Sequence, residues 1–405
     1  MSDSAKDLRV LSLFSGCGGL DLGFEGGFNV VSESIHEAIL KSQILKSPKK
    51  GWITLKPTRF QTVFANDIRP AARKLWNLNF SKKFQTPTDI YQLESIVDLV
   101  EKYRRGDRNV FPKNIDVVTG GFPCQDFSLA GKRKGFESDR GKLYIWMKEV
   151  IGIVQPKVFI AENVKGLTSL GDALQIIRKD FESIGNGYVV VTPQVLHAAH
   201  YGVPQSRERV FFIGFRKDLL KKEAFLALTE NNISSDYNPY PSPTHYLPDE
   251  DSASEKIKWA TTKNAFKDLK EPSQSKDISQ KSYSQCKWYG KHCQGNSEIR
   301  LNSIGPTIRS EHHGNIEFRR LSLKNGGKYK TEFKKGFLER RLSVRECARI
   351  QTFPDDFDFV VPGKEFNISQ SEAYKLIGNA VPPLLGYHIA HRLEVLWPKL
   401  FKNQL

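Results

Sequence analysis

The chain has 405 residues, with 61 Lys and Arg against 45 Asp and Glu and a formal net charge of +16. Its mean hydropathy of −0.44 and the lack of an apolar run near 18 residues exclude a transmembrane helix. Five scattered cysteines, Cys17, Cys124, Cys286, Cys293 and Cys347, are an odd set that excludes a disulfide framework and points to a reducing interior.

The N-terminus, MSDSAKDLRVLSLF, lacks a basic region followed by an apolar core, so secretion is not expected and a cytoplasmic location is. The basic surplus favours a polyanionic partner, most often nucleic acid. The length accommodates two or three domains.

Residues 9–14 (RVLSLF) predict a buried strand. Gly16, Gly18 and Gly19 follow, and LDLGFEGGF has helical spacing, which opens a nucleotide-binding α/β unit. Residues 28–33 (FNVVSE) and 60–65 (FQTVFA) are two candidates for the next strand. Between them lies a Lys-rich insertion at about 31–59. Residues 71–78 predict a helix and 115–119 (IDVVT) a strand that runs into Gly120-Gly121-Phe122-Pro123-Cys124. A helix at 142–154, a strand at 157–161 ending at Glu162-Asn163, and a strand at 209–215 follow. Strands alternating with helices imply a mostly parallel sheet covered on both faces.

From 216 to 340 the chain is polar and aperiodic, with 23 Lys and Arg against 16 Asp and Glu. This segment is expected to be a second domain that carries the partner contact. Capping boxes at Ser343/Glu346 and Ser369/Glu372 open two further helices. An amphipathic helix around LLGYHIAHRLEVL closes the chain, and these last pieces are expected to pack back on the first domain. The division is therefore 1–215 plus 341–405 against 216–340.

The glycine turn leaves room for a ligand beside the backbone, and the next helix offers free N–H groups. Its spacing is too tight for the dinucleotide pattern, and a turn serving packing alone is the alternative. An acidic residue at the end of the second strand commonly binds ribose hydroxyls. Spacing from the glycines favours Glu33, whereas local pattern favours Asp67, and the residues alone leave both open. Cys124 lies in a Gly/Pro loop at the C-terminal edge of the sheet, where open α/β sheets place ligands. A thiolate there can attack an electrophilic carbon. Glu162 ends a neighbouring strand and is a candidate acid, with a solvated strand end as the alternative. Arg207 and Arg209 point to one side if their run is extended, and Arg forks grip carboxylates, phosphates or carbonyls. Cys286 and Cys293 with His292, His312 and His313 fit no standard zinc spacing, so no metal is expected.

Taken in order, FSGCGG, GGFPCQDFS, AENVKG, PQSRERVFFIGF, RRLSVRECARIQTFPDDF and YKLIGNAVPP resemble the cytosine-5 DNA methyltransferases, in particular the bacterial modification enzymes of type II restriction systems. The resemblance spans about 1–215 and 340–390, and 216–340 matches only in position, where the family carries its target-recognition domain. It implies a Rossmann-like S-adenosylmethionine-dependent catalytic domain with a smaller, mostly irregular recognition domain. It implies Cys124 as the nucleophile that adds to carbon 6 of cytosine, and Glu162 as the acid at ring nitrogen 3. Asn163 would orient that loop, and Arg209, with Arg207 beside it, would hold the base carbonyl. The target base must leave the duplex to be reached.

For the cofactor the resemblance implies Phe14, Gly16, Gly18 and Gly19, and it settles the acidic residue toward Asp67. Ile68, where many relatives carry an aromatic ring, Asp89, Ile90, Pro123, Leu143 and Asn379 complete the implied pocket. Gln125 and Ser128 lie on the Pro-Cys loop and are expected to touch DNA. Within 297–320, Arg309 and Arg319 are the candidates for reading base edges. The expected partner is double-stranded DNA, with no membrane. The enzyme would act as a nucleoid-associated monomer that protects host DNA from a cognate restriction endonuclease without a stable complex. An RNA cytosine-5 methyltransferase and a non-catalytic DNA-binding regulator are the competing readings.

Overall fold

The computed structural model describes residues 8–122, 143–250, 255–285, 287–290, 297–310, 317–363 and 367–402. Pro123, Cys124, Gln125 and Ser128, and the Cys286, His292, Cys293, His312 and His313 group, lie outside the described residues.

An eight-stranded sheet organises the chain. Its strands are β1 (Leu8–Leu13), β2 (Phe60–Asn66), β3 (Tyr91–Gln92), β4 (Val117–Gly121), β5 (Val158–Val164), β6 (Tyr188–Val190), β7 (Gln194–His197) and β8 (Glu208–Arg216). The order is β3-β2-β1-β4-β5-β8-β7, with β6 also paired to β8. Pairing is parallel from β3 through β5. β8 runs antiparallel to β5, β6 and β7.

The apolar runs are strands because both sheet faces are covered. In β8, Val210 and Phe212 enter one hydrophobic cluster while Phe211, Ile213 and Phe215 enter the other. This is the two-residue alternation of a pleated strand. The first cluster is completed by α1 (Gly19–Glu25), α2 (Pro70–Phe84), the capped helices α6 (Val344–Ile350) and α7 (Gln370–Asn379), and α8 (Pro383–Leu400). The second is completed by α3 (Ile96–Arg104), α4 (Leu143–Val154) and α5 (Ala173–Glu182). Both expected capping boxes form, at Ser343/Glu346 and Ser369/Glu372.

The C-terminal helices pack on the first domain as their patterns predict. α8 is buried along most of its length rather than along one stripe. Its Gly386 meets Gly23 of α1 so closely that a Cβ on Gly23 would lie 2.8 Å from the Gly386 Cα. Only a glycine lets these helix backbones touch.

One expectation is corrected. Residues 29–31 do not join the central sheet: Asn29–Val31 and Ile44–Lys46 both pair antiparallel with Trp52–Leu55, in a separate three-stranded sheet. The place beside β1 belongs to the longer Phe60–Asn66, and an apolar run does not itself say which sheet it joins. Residues after 216 also reach the first core, as do Ile299 and Ile308 further on. A helix at Lys222–Thr229 sends Ala224 and Leu228 into the first core cluster. Tyr240 donates its hydroxyl to the Phe211 carbonyl at 2.8 Å, and Arg392 donates to the Asn238 carbonyl at 2.8 Å. Residues 217–246 therefore lie on the catalytic layer, held by a few apolar anchors dispersed in polar sequence.

Candidate active site

β1 ends in a turn built on left-handed backbone at Phe14, Gly16 and Gly18, with φ of 53°, 55° and 85°. A Cβ on Gly16 would meet nothing within 4 Å, so this turn borders open space. At Gly18 a Cβ would run into the rings of Trp76 and Phe80 of α2, which stack 4.1 Å apart. The turn is pinned from beneath. Ser12 and Trp76 donate to the buried Asp21 carboxylate at 2.6 and 2.7 Å. Tyr91 donates to the Gly16 carbonyl at 2.9 Å. Burial raises Asp21 to about 6, against the two donors that favour its charged form. Neither Asp21 nor Tyr91 was singled out from sequence. The available signal was a lone carboxylate inside the apolar helix GLDLGF.

Asp67, just past β2, accepts the Gly16 N–H at 3.1 Å and the Arg69 N–H at 3.0 Å. Burial pushes its carboxyl up, opposed by these N–H groups and by Arg69. Glu33 lies on the insertion and pairs with Lys267 at 3.3 Å, so the structure places Asp67 and not Glu33 beside the turn. Ile68 is 68% exposed and Asp89 is also exposed, while Ile90, Phe14 and Leu143 are half-buried against the core clusters. Asn379, the last residue of α7, is exposed.

The second half of the site is built where β4 and β5 end and the antiparallel β8 begins, so three strands bring polar residues to one edge. Gly121 pairs with Glu162, and Val164 with Arg209. Glu162 is 8% exposed and forms an ion pair with Arg209, Oε1 to Nε, at 2.9 Å. Burial pushes the Glu162 carboxyl up, opposed by the charges of Arg209 and Arg207. Asn163 donates to the Phe122 carbonyl at 3.1 Å and accepts the Val164 N–H at 2.7 Å. It thus ties the end of β5 to the residue that leads into Pro123-Cys124.

Arg207 does not share Arg209's orientation. It is fully buried and donates to the carbonyls of Ile308 and Gly378 at 3.1 and 3.0 Å. The chain turns tightly just before β8, with the Arg207 N–H bonded to the Gln205 carbonyl at 3.1 Å, so the extended spacing rule does not apply. Arg319, the other candidate base reader, is held by the protein itself. It lies on the short strand Phe318–Arg320, is 9% exposed and pairs with Glu332 at 2.9 Å. Arg309 is half-buried in the loop held by Gln205 and Arg207.

The C-5 cytosine-specific DNA methylase family model matches residues 8–394. The chain belongs to this family. It is similar to the type II methyltransferase M.BsuRI of Bacillus subtilis, 36% identical over 95% of this chain and 78% of that protein. It is also similar to M.FnuDI of Fusobacterium nucleatum, 32% identical over 96% and 94%. Among solved structures, the fold is shared with a Dnmt2 methyltransferase of S. pombe, at a TM-score of 0.57, 18% identity and coverage of 96% and 99%. The molecule is thus a DNA cytosine-5 methyltransferase of the type II kind, on a mixed α/β methyltransferase fold. Among the described residues no helix is long and apolar enough to cross a membrane, and no group of three or more His, Cys, Asp and Glu could hold a metal ion.

In this methylase a Cβ on Gly121 would sit 2.8 Å from Glu162 Oε2. Gly121→Ala is therefore expected to displace the carboxylate and reduce methyl transfer at least about tenfold, as misplacement of a catalytic group by a fraction of an ångström does. Binding of the methyl donor, followed by calorimetry, should be unchanged.

Proposed function

We propose that the enzyme takes its methyl group from S-adenosylmethionine and delivers it to carbon 5 of a flipped cytosine through a covalent Cys124 adduct. The observation that carries the reading is the Glu162–Arg209 pair, buried at the sheet edge that leads into Cys124. The donor fits the other half of the site. The glycine turn faces open space, the Asp67 carboxylate stands beside it for ribose hydroxyls, and Ile68 and Ile90 offer apolar surface. Phe14, Leu143 and Asn379 complete this pocket, and the family resemblance adds Pro123 to it. S-adenosylmethionine supplies an electrophilic methyl group on a sulfonium centre.

The protein's residues do the rest. Carbon 5 of cytosine is a weak nucleophile. The Cys124 thiolate adds at carbon 6, and the ring becomes enamine-like at carbon 5. Glu162, its carboxyl raised by burial, donates toward ring nitrogen 3 and so stabilises the adduct. Arg209 holds the base carbonyl and keeps Glu162 aligned, and Asn163 fixes the path into the Cys124 segment. After methylation water takes the carbon-5 proton, the thiolate leaves carbon 6, and the proton on ring nitrogen 3 returns to Glu162, restoring aromaticity. Flipping costs a few kcal/mol, offset by these contacts.

Arg309 contacts the target sequence, with Gln125 and Ser128 touching DNA from the Pro-Cys loop. Residues 216–340 carry the recognition domain. The enzyme acts as a monomer in the cytoplasm, beside the nucleoid, and shields DNA from a partner endonuclease with which it forms no stable complex.

Expression in a methylation-free host, with base-resolution methylation sequencing and a Cys124→Ala copy alongside, tests this. 5-Methylcytosine within one short motif, and only with Cys124 present, is expected. Methylation that persists in Cys124→Ala would sink the covalent route.

A further inference from the structure

The insertion between α1 and β2 has no part in the chemistry above, yet it is tied to the start of the recognition segment. Trp52, on the central strand of the small sheet, is buried, and its indole N–H donates to Asp268 Oδ2 at 2.8 Å. Lys49 reaches the same oxygen at 2.9 Å. The Arg349 guanidinium lies 4.8 Å over the Trp52 ring and donates to the Ala265 carbonyl at 3.1 Å and to that of Lys267. Lys267 pairs with Glu33 at 3.3 Å, and the His36 ring bonds the Glu255 carbonyl at 2.7 Å.

Besides Tyr329, whose hydroxyl accepts the Leu301 N–H at 2.9 Å, segment 300–309 hangs between two anchors. One is the run into β8: the Gly305 N–H bonds the Pro204 carbonyl at 2.9 Å, and the Ile308 N–H bonds Gln205 at 2.9 Å. The other is Thr262-Lys263. Thr262 bonds the carbonyls of Arg300 and Ser303 at 2.8 and 3.0 Å, and Lys263 bonds that of Leu301 at 2.8 Å. Asp268 closes the short stretch that follows this second anchor. Its backbone is left-handed, with φ of 65°, which holds its carboxylate toward Trp52 in a fixed frame.

We propose that the insertion is a brace for target discrimination, with Trp52 and Asp268 as positioning residues that set the height of segment 300–309, Arg309 included, over the DNA. The proposal rests on the reading that this segment faces the target sequence. An indole N–H to a carboxylate is directional, so it fixes an orientation that apolar packing alone leaves free. The exposed Lys49 contact adds charge but little direction.

The test measures methylation rates on duplexes that carry the cognate site, taken from the methylome, and on single-mismatch sites. Trp52→Phe keeps a ring under Arg349 and removes the N–H. Asp268→Gly removes the acceptor without backbone strain. Asp268→Asn keeps an acceptor and tolerates the left-handed backbone. Trp52→Phe and Asp268→Gly should lower the cognate-to-mismatch ratio about threefold to tenfold, in line with the net worth of one ordinary hydrogen bond. Asp268→Asn and a control on the same insertion, Lys46→Ala, should keep the wild-type ratio. An unchanged ratio in Trp52→Phe and Asp268→Gly, whatever their melting temperatures, overturns the proposal. If Trp52→Phe does not fold, Asp268→Gly against Asp268→Asn decides. Arg309→Ala with a wild-type ratio would instead fault the reading of the segment itself, which separates the two failures.

Discussion

Glu162→Gln is expected to cut the single-turnover methyl-transfer rate by about 10²–10⁴-fold, the range a positioned proton donor supplies. Gln has nearly the shape of the acid and still reaches Arg209, so the fold and cofactor binding should survive. It cannot give a proton to ring nitrogen 3. The native carboxyl is suited to that task because burial raises it, while Arg209 at 2.9 Å holds it in one orientation. Glu162→Ala should be worse in a second way. It also removes the side-chain acceptor that Gln still offers to Arg209, and a donor left unpaired at a largely buried position costs about 1–3 kcal/mol. Transfer of a labelled methyl group under single-turnover conditions, with thermal unfolding of each variant, separates the two effects. A Glu162→Gln enzyme with wild-type single-turnover rate would remove Glu162 from the chemistry.

Much of the catalytic layer was legible because its strands are short apolar runs that stop at Gly, Pro or a polar pair. Phe60–Asn66, Val158–Val164 and Glu208–Arg216 announce themselves in this way, and the two capping boxes place α6 and α7. The edge that gathers Glu162 and Arg209 follows from strand ends alone. What stayed hidden depends on which partner a residue finds. Val30 and Trp52 sit in a sheet formed by the insertion itself, and nothing in a three-residue strand specifies that pairing. The ribose candidate was ambiguous because the spacing rule assumes no insertion, whereas 29 residues lie between Val30 and Phe60. Arg207 and Arg209 look equivalent as letters. One turn before β8 sends the first into the protein and leaves the second at the site. Arg319 illustrates the same limit, since its letter does not say that Glu332 lies within reach.

Glu271→Gln is expected to lower stability by about 3–5 kcal/mol at neutral pH, the cost of breaking a buried ion pair on one side. Glu271 salt-bridges Arg320 at 2.8 Å and Arg340 at 2.9 Å, and both arginine side chains are buried. Arg340 also pairs with Glu346 at 2.8 Å, and Glu346 closes the capping box of α6. Arg320 continues to Glu332 at 2.5 Å, which receives Arg319. Three arginines and three glutamates so balance one another, and they join the recognition segment to α6. Arg340 and Arg320 hold Glu271 down to about 2, below the ordinary 4.5, despite its burial. A carboxylate depressed on folding contributes stability above its unfolded pKa and loses it as pH falls through the folded one. That contribution, about 3 kcal/mol for a shift of this size, should be present above pH 4.5 and gone near pH 2. Glu332 and Glu346 are lowered in the same direction by the same arginines. The wild-type stability curve from urea unfolding should therefore fall more steeply below pH 4.5 than that of Glu271→Gln, and the two should converge in acid. Parallel curves would mean that the pair adds no pH-linked stability, and that the network orients the recognition segment without holding it.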